Sequence, residues 1–356
     1  MSAAEVQLKP TLSFGGLRAV CPSSLVVAAV TGLLVWAAVS NLVRHGNLAS
    51  EISAGRAELA APLLVGLVVL TGVCERRWPA EARPLFARGH IQDACYLVLH
   101  AVAVIPLMTL LGVGATVVIA GHLPWIELRS AEHLPRLLLV AITIVAMDGA
   151  NWLAHYADHR VRALWRFHAL HHSQEELSVL TSFRAHPLMH TTGFILSTIP
   201  VAVLMPTLPI APVLITSYVC IGTLQHANLR WTFGSLGRVI VSPAYHRLHH
   251  DPSRQDVNLG VVLVVWDVIA GCARFPSLAG AASATGLNGR PVPVEQHVTA
   301  RSGLGLMVSQ LGEPFRGGGG AERQSTGGTI SQEAPHRRPR AQPGPDWRTD
   351  CVPTPR

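Results

Sequence analysis

Five long stretches of this chain carry almost no charge, and they limit what it can fold into more than any other feature. They run from about Leu25 to Val43, Leu59 to Cys74, Ala94 to Gly121, Leu137 to Ala154 and Thr192 to Gly222. A helix needs roughly 20 apolar residues to cross a bilayer, with about 17 to 25 tolerated. The first and fourth blocks fit one crossing, the second is a little short, and the third is long enough to tilt or to bend near Pro106. The fifth contains Pro200, Pro206, Pro209 and Pro212. Each proline removes a backbone bond, so this block is predicted to form two short arms of a hairpin that enters the membrane and returns. Of 356 residues, 49% are hydrophobic and 14% charged, with mean hydropathy +0.35. That is too apolar for a soluble enzyme of this size. The expected fold is an all-α integral membrane protein with about four transmembrane helices, the proline-rich hairpin and a cytoplasmic, histidine-rich helical cap.

Basic residues collect on the cytoplasmic side of a membrane. Four arginines lie between the second and third blocks (Arg76, Arg77, Arg83, Arg88), four precede the hairpin (Arg160, Arg162, Arg166, Arg184) and four follow it (Arg230, Arg238, Arg247, Arg254). The alternate loops hold two each, Arg44 with Arg56 and Arg129 with Arg136. This pattern predicts a cytoplasmic segment over 1–24, membrane helices over 25–147 and a functional region over 148–275 that includes the hairpin, 192–222. Both polar segments flanking the hairpin then face the cytoplasm, in a membrane expected to be the bacterial cytoplasmic one. From about Pro276 the composition turns to Gly, Pro, Ser and Arg, which predicts a disordered tail over 276–356. The net charge of +7 rests on arginine, Lys9 being the only lysine, and no basic domain laced with aromatics points to nucleic acid. Six cysteines form no CxxC pair, so neither a disulfide scaffold nor a cysteine metal site is expected.

Eleven of the 18 histidines fall between His155 and His250, where even spreading would put about five. His155 and His159 are four apart, His168 is followed by His171 and His172, and His246 by His249 and His250. Spacings of three and four place side chains on one helical face, so each group can aim two or three imidazoles at one point. Imidazole is a common ligand for iron, zinc and copper. Eight imidazoles exceed what one tetrahedral metal needs and suit two. Soluble carboxylate-bridged di-iron bundles need Glu-x-x-His pairs, and the chain has none. The scattered His45, His90, His100, His122, His133, His297 and His336 are read as ordinary satisfied polar residues.

The segment Leu164-Trp165-Arg166-Phe167-His168-Ala169-Leu170-His171-His172-Ser173 and the later Ser242-Pro243-Ala244-Tyr245-His246-Arg247-Leu248-His249-His250 closely resemble the fatty acid hydroxylase superfamily, also called the sterol desaturase family. Asp148 seven residues before His155, Arg184-Ala185-His186-Pro187, Gln225-His226-Ala227-Asn228, and Asp256-Val257-Asn258-Leu259-Gly260 with Trp266-Asp267 extend the match. The resemblance covers Asp148 to Gly271, about a third of the chain. It implies a membrane-bound, non-haem di-iron oxygenase that hydroxylates or desaturates a lipid with O2 and external electrons. Carried over by position, His155, His159, His168, His171, His172, His246, His249 and His250 match the family's eight-histidine ligand set, and His226 matches a further family histidine, assigned as an additional ligand. His186 matches the His-Pro histidine, between ligand and outer support. Asp148, Asn228, Asn258 and Asp267 would orient imidazoles or fix the fold around them. The chain departs from the pattern at Tyr156, where members often have Arg. It departs also after Pro187, where Leu188, Met189 and His190 replace the usual glutamate, and in the ending Trp266-Asp267-Val268-Ile269-Ala270-Gly271-Cys272. His190 is an extra imidazole or a substitute ligand.

No Gly-x-Gly-x-x-Gly follows a strand and no cysteine set suits an iron–sulfur cluster, so electrons are expected from a separate ferredoxin, or a cytochrome with its reductase. Three rival readings use the same histidines: a haem electron-transfer protein, a metal transporter or store, and a catalytically silent relative. The first would pair histidines within the bilayer, whereas these groups sit at span ends and come in triples. The second would line the middle of the spans with ligands.

Overall fold

A computed structural model describes residues 60–84, 87–204, 221–276, 284–287 and 300–316, with the single positions 29 and 292. The described part is helical. Isolated β-bridges join Pro79 to Leu229 and Ile240 to Leu263. Apart from Ala29, the first apolar block lies outside the described residues, as do the Pro206, Pro209 and Pro212 part of the hairpin and residues 317–356.

Helix α1 (Ala60–Arg77) turns Val65, Val69, Leu70 and Val73 outward and ends in Glu75, Arg76 and Arg77. Helix α2 (His90–Leu99) runs through a π turn (His100–Val104) into α3 (Ile105–His122). The bend expected near Pro106 takes this form. Proline has no N–H and its ring crowds the carbonyl four residues back, at Val102, so the turn there widens. Helix α4 (Arg136–Arg160) has 25 residues, about 37 Å at helical rise, against a hydrocarbon core of about 30 Å. Its last turns, carrying His155 and His159, therefore outrun the apolar stretch. Helix α5 (Arg162–His172) follows after one extended residue, Val161.

Helix α6 (Pro187–Leu204) starts five residues earlier than the sequence suggests and passes through Pro200 without breaking. One turn earlier the hydroxyls of Ser197 and Thr198 donate to the carbonyls of Phe194 and Ile195, local bonding of the kind that lets membrane helices carry proline. Among the described residues, three helical stretches are long and apolar enough to cross a membrane: His90–His122, Leu137–Arg160 and Pro187–Leu204. Helix α1 is not one of them, its last turn being charged. Helix α6 packs along α4 and α3, where Gly112 leaves room for the Phe194 ring.

Two short helices follow. Helix α7 (Pro243–His249) has the start its sequence predicts: Ser242 accepts from the Tyr245 N–H, and Pro243 occupies the first turn. Helix α8 is Val265–Ile269. The expected tail needs correction. Residues 300–312 form helix α9 (Ala300–Gly312), which lies against α2 with Met307 in a core cluster beside Tyr96, Leu170 and Phe183. The Gln310 side chain accepts from Gln92 and from the Tyr96 hydroxyl and so anchors this helix. The Leu304, Met307, Leu311 spacing of this helix was outweighed, in composition, by the Gly and Pro around it.

Candidate metal centre

Four elements converge on one buried volume: the end of α4, α5, the loop at His226 and α7. Their imidazoles fall into two groups. His155, His159, His168, His172 and His249 form one; His171, His226, His246 and His250 form the other. Within each group one ring nitrogen per residue lies within 4.8 Å of all the others, and every residue except the partly exposed His155 is buried. The i, i+4 pairs His168 with His172 and His246 with His250 stay together. The adjacent pairs His171–His172 and His249–His250 are split, because neighbours on a helix point about 100° apart. These nine are the histidines that the sequence singles out as ligands.

The outer nitrogens reveal what the inner ones carry. Nδ1 of His155 lies 2.8 Å from the Leu259 carbonyl, Nδ1 of His249 2.9 Å from that of Val257, and Nδ1 of His171 3.3 Å from that of Arg184. A carbonyl only accepts, so each Nδ1 holds the proton and each Nε2 presents a lone pair. At His226 the partner is Ser182 Oγ at 2.9 Å, whose own proton goes to the Thr223 carbonyl, so this Nδ1 donates as well. Nε2 of His171 and Nε2 of His226 are thus both lone pairs, and they face each other at 2.9 Å.

The other contacts repeat that spacing: His246 to His226 at 2.9 Å, His250 to His246 at 3.2 Å, His155 to His168 at 3.2 Å and His172 to His168 at 3.1 Å, all Nε2 to Nε2. Metal–imidazole bonds of about 2.0–2.1 Å place neighbouring nitrogens about 2.9 to 3.4 Å apart, depending on the angle at the metal. Nε2 of His249 is buried with no hydrogen-bond partner. The donor set can therefore hold metal ions, and the five-and-four division fits two. Burial keeps the cap imidazoles neutral. It pushes His171 down to about 3, with His155 adding to the effect, and holds His168, His172, His226, His246, His249 and His250 well below the usual imidazole range.

The four polar residues singled out beside the histidines bond to the backbone that carries the centre. Asp267 accepts from the N–H groups of Leu259 and Gly260, the Trp152 indole and the Tyr245 hydroxyl, and so holds the Leu259 carbonyl against His155. Asn258, at φ 56, donates to the carbonyls of Tyr245 and Arg274. Asp148 accepts from Val262, Leu263 and the Trp266 indole. Asn228 accepts from the Glu81 N–H and donates to its carbonyl. His186 and His190 join neither group: His186 Nε2 lies 3.1 Å from the Leu311 carbonyl, and His190 packs on His100.

Two supports escaped the sequence reading. Asp93 pairs with the fully buried Arg184, whose carbonyl orients His171. The Arg184 guanidinium also donates to the Gly89 carbonyl, which sits at φ 80 where a side chain would collide with it. A lone carboxylate at the start of an apolar block was the available signal. Ser182 left none, since only the fold brings it to His226.

A family model described as fatty acid hydroxylase matches residues 140–272. Ornithine lipid hydroxylase OlsE of Rhizobium tropici is 30% identical over 186 residues, 52% of this chain and 52% of its own length. The alkylglycerol monooxygenase of Homo sapiens is 30% identical over 133 residues, 36% of this chain and 28% of its own, and that of Caenorhabditis elegans 30% identical over 124 residues, 34% and 24%. The chain thus spans about half the length of the first relative and about a quarter of the others. No solved structure matches it. Residues 140–272, the stretch that holds all nine clustered imidazoles, are thus similar to the fatty acid hydroxylase superfamily.

Proposed function

We propose that this protein is a membrane-bound non-haem di-iron oxygenase that hydroxylates, or desaturates, a C–H bond of a lipid. Residues 148–275 would be its catalytic region, with the histidine cap facing the cytoplasm of a bacterial cell. One observation carries the reading: Nε2 of His171 and Nε2 of His226 are lone pairs facing each other at 2.9 Å in a buried site, an arrangement that repels unless a cation lies between them. A lipid substrate agrees with the names of the relatives and with the apolar faces of the spanning helices.

Iron held by the two groups would supply the reduction of O2, in hydroxylation consuming two electrons and two protons from outside, one oxygen atom entering the lipid and the other leaving as water. The protein's own part is placement. The carbonyls of Leu259, Val257 and Arg184 and the Ser182 hydroxyl keep four imidazoles in the ligating tautomer. Burial of the cluster keeps bulk water from it. Electrons would arrive from a ferredoxin, or from a cytochrome with its reductase.

The test is iron and zinc per chain in detergent-purified protein reconstituted anaerobically with ferrous iron. The His249→Ala variant is measured beside it, and lipid products are sought with a reductase and O2. The expected result is about two irons in the wild type and fewer in the variant, with product from the wild type only. Folded protein that retains no iron, or a variant that turns over like the wild type, would overturn the reading.

A further inference from the structure

We propose that His100, faced by His190, forms a substrate-binding element that accepts a hydrogen bond from an O–H or amide N–H on the lipid, which narrows the substrate to lipids carrying such a donor; this rests on the oxygenase reading above. His100 stands within the apolar third block, where an ionisable side chain is costly unless it serves a purpose. It opens the π turn between α2 and α3, a distortion common at functional sites. Val98 and Val102 on the same stretch are 61% and 74% exposed, whereas His100 is 3% exposed, so it is turned away from the lipid side into the protein.

The proton on His100 can be placed. Nδ1 lies 2.9 Å from the Tyr96 carbonyl, which only accepts, so Nδ1 carries the hydrogen and Nε2 is left as an acceptor. That Nε2 is buried and has no partner among the described residues, contrary to its reading as an ordinary satisfied histidine. An acceptor in that position calls for a donor, and neither an ester nor an alkane supplies one. His190 meets it edge-on at 4.8 Å between ring centres, and its Nε2 is also buried and unpartnered. The pair stands beside the metal centre. Met189, next to His190, brings its sulfur to 2.9 Å from His168 Nδ1, and His100 packs on Phe183, next to the Arg184 that orients His171. A lipid held here has its donor group against α2 and α6 and the neighbouring carbons toward the imidazoles.

The experiment measures binding to the full-length protein in nanodiscs with two probe pairs, each a donor lipid and its capped form. One pair is hexadecylglycerol with its di-O-methyl ether; the other is N-hexadecanoylglycine methyl ester with its N-methyl counterpart. The wild type is expected to bind the donor member of at least one pair about ten-fold more tightly. His100→Phe should bind both members alike, His100→Gln, which keeps an acceptor, should retain part of the preference, and iron content should match the wild type in both variants. Equal binding of donor and capped lipids by the wild type in both pairs would overturn the inference, as would loss of iron in His100→Phe, which would make His100 a ligand. Binding requires no turnover. A preference that survives without product would therefore count against the oxygenase reading while leaving this site in place.

Discussion

An imidazole can ligate a metal only through the nitrogen that lacks a proton, so the residues that matter next to a ligand are those that hold the proton on its far side. Here that task falls mostly to backbone carbonyls, and side chains act one step back by fixing those carbonyls. Asp267 shows the principle: it is fully buried, accepts from five groups, the Cys272 thiol among them, and holds the Leu259 backbone against His155. Asp267→Asn replaces a carboxylate by an amide that must turn two donors toward those N–H and O–H groups. The expected cost is on the order of 2–3 kcal/mol, together with weaker iron retention. A thermal unfolding midpoint equal to the wild type's, measured in detergent, would count against this role.

At the scale of elements, small residues decide how closely helices and loops approach. Gly149 on α4 lies under the Trp266 ring, where a Cβ would sit 2.8 Å from a ring carbon. Trp266 in turn donates to Asp148, so this contact ties α8 to the helix that carries His155 and His159. Helix α9 closes the far side of the cap over Tyr96, Leu170 and Phe183. Met307→Asp would place an unpaired charge in that cluster and is predicted to cost about 3 kcal/mol or more. Measured by thermal unfolding, the same substitution at the exposed Val308 should leave the midpoint nearly unchanged. Equal effects at the two positions would mean that α9 does not pack as described.

For the whole molecule, the proposed metal and the fold would be coupled, since anything that binds only the folded state stabilises it. The imidazole groups join α4, α5, α7 and the His226 loop, so removing iron with a chelator should lower the unfolding midpoint by several degrees while the spanning helices keep their helical circular dichroism. A midpoint insensitive to iron would show that the groups bind none. Much of this was legible beforehand. The uncharged blocks require helices, because a backbone in lipid must satisfy its own hydrogen bonds, and His spacings of three and four place imidazoles on shared faces. The Ser242-Pro243 start of α7 was readable for the same reason, as capping chemistry is local. Local rules do not report which groups meet across a fold. The division of adjacent histidines between two groups, the Asp93–Arg184 support, the Ser182 contact to His226, the docking of α9 and the unpaired acceptor on His100 all join residues far apart in the chain. The sequence by itself determined a membrane-embedded helical protein with clustered histidines. Tertiary structure alone decided which lone pairs face one another and what holds them there, because those facts depend on distances between elements that no spacing along the chain encodes.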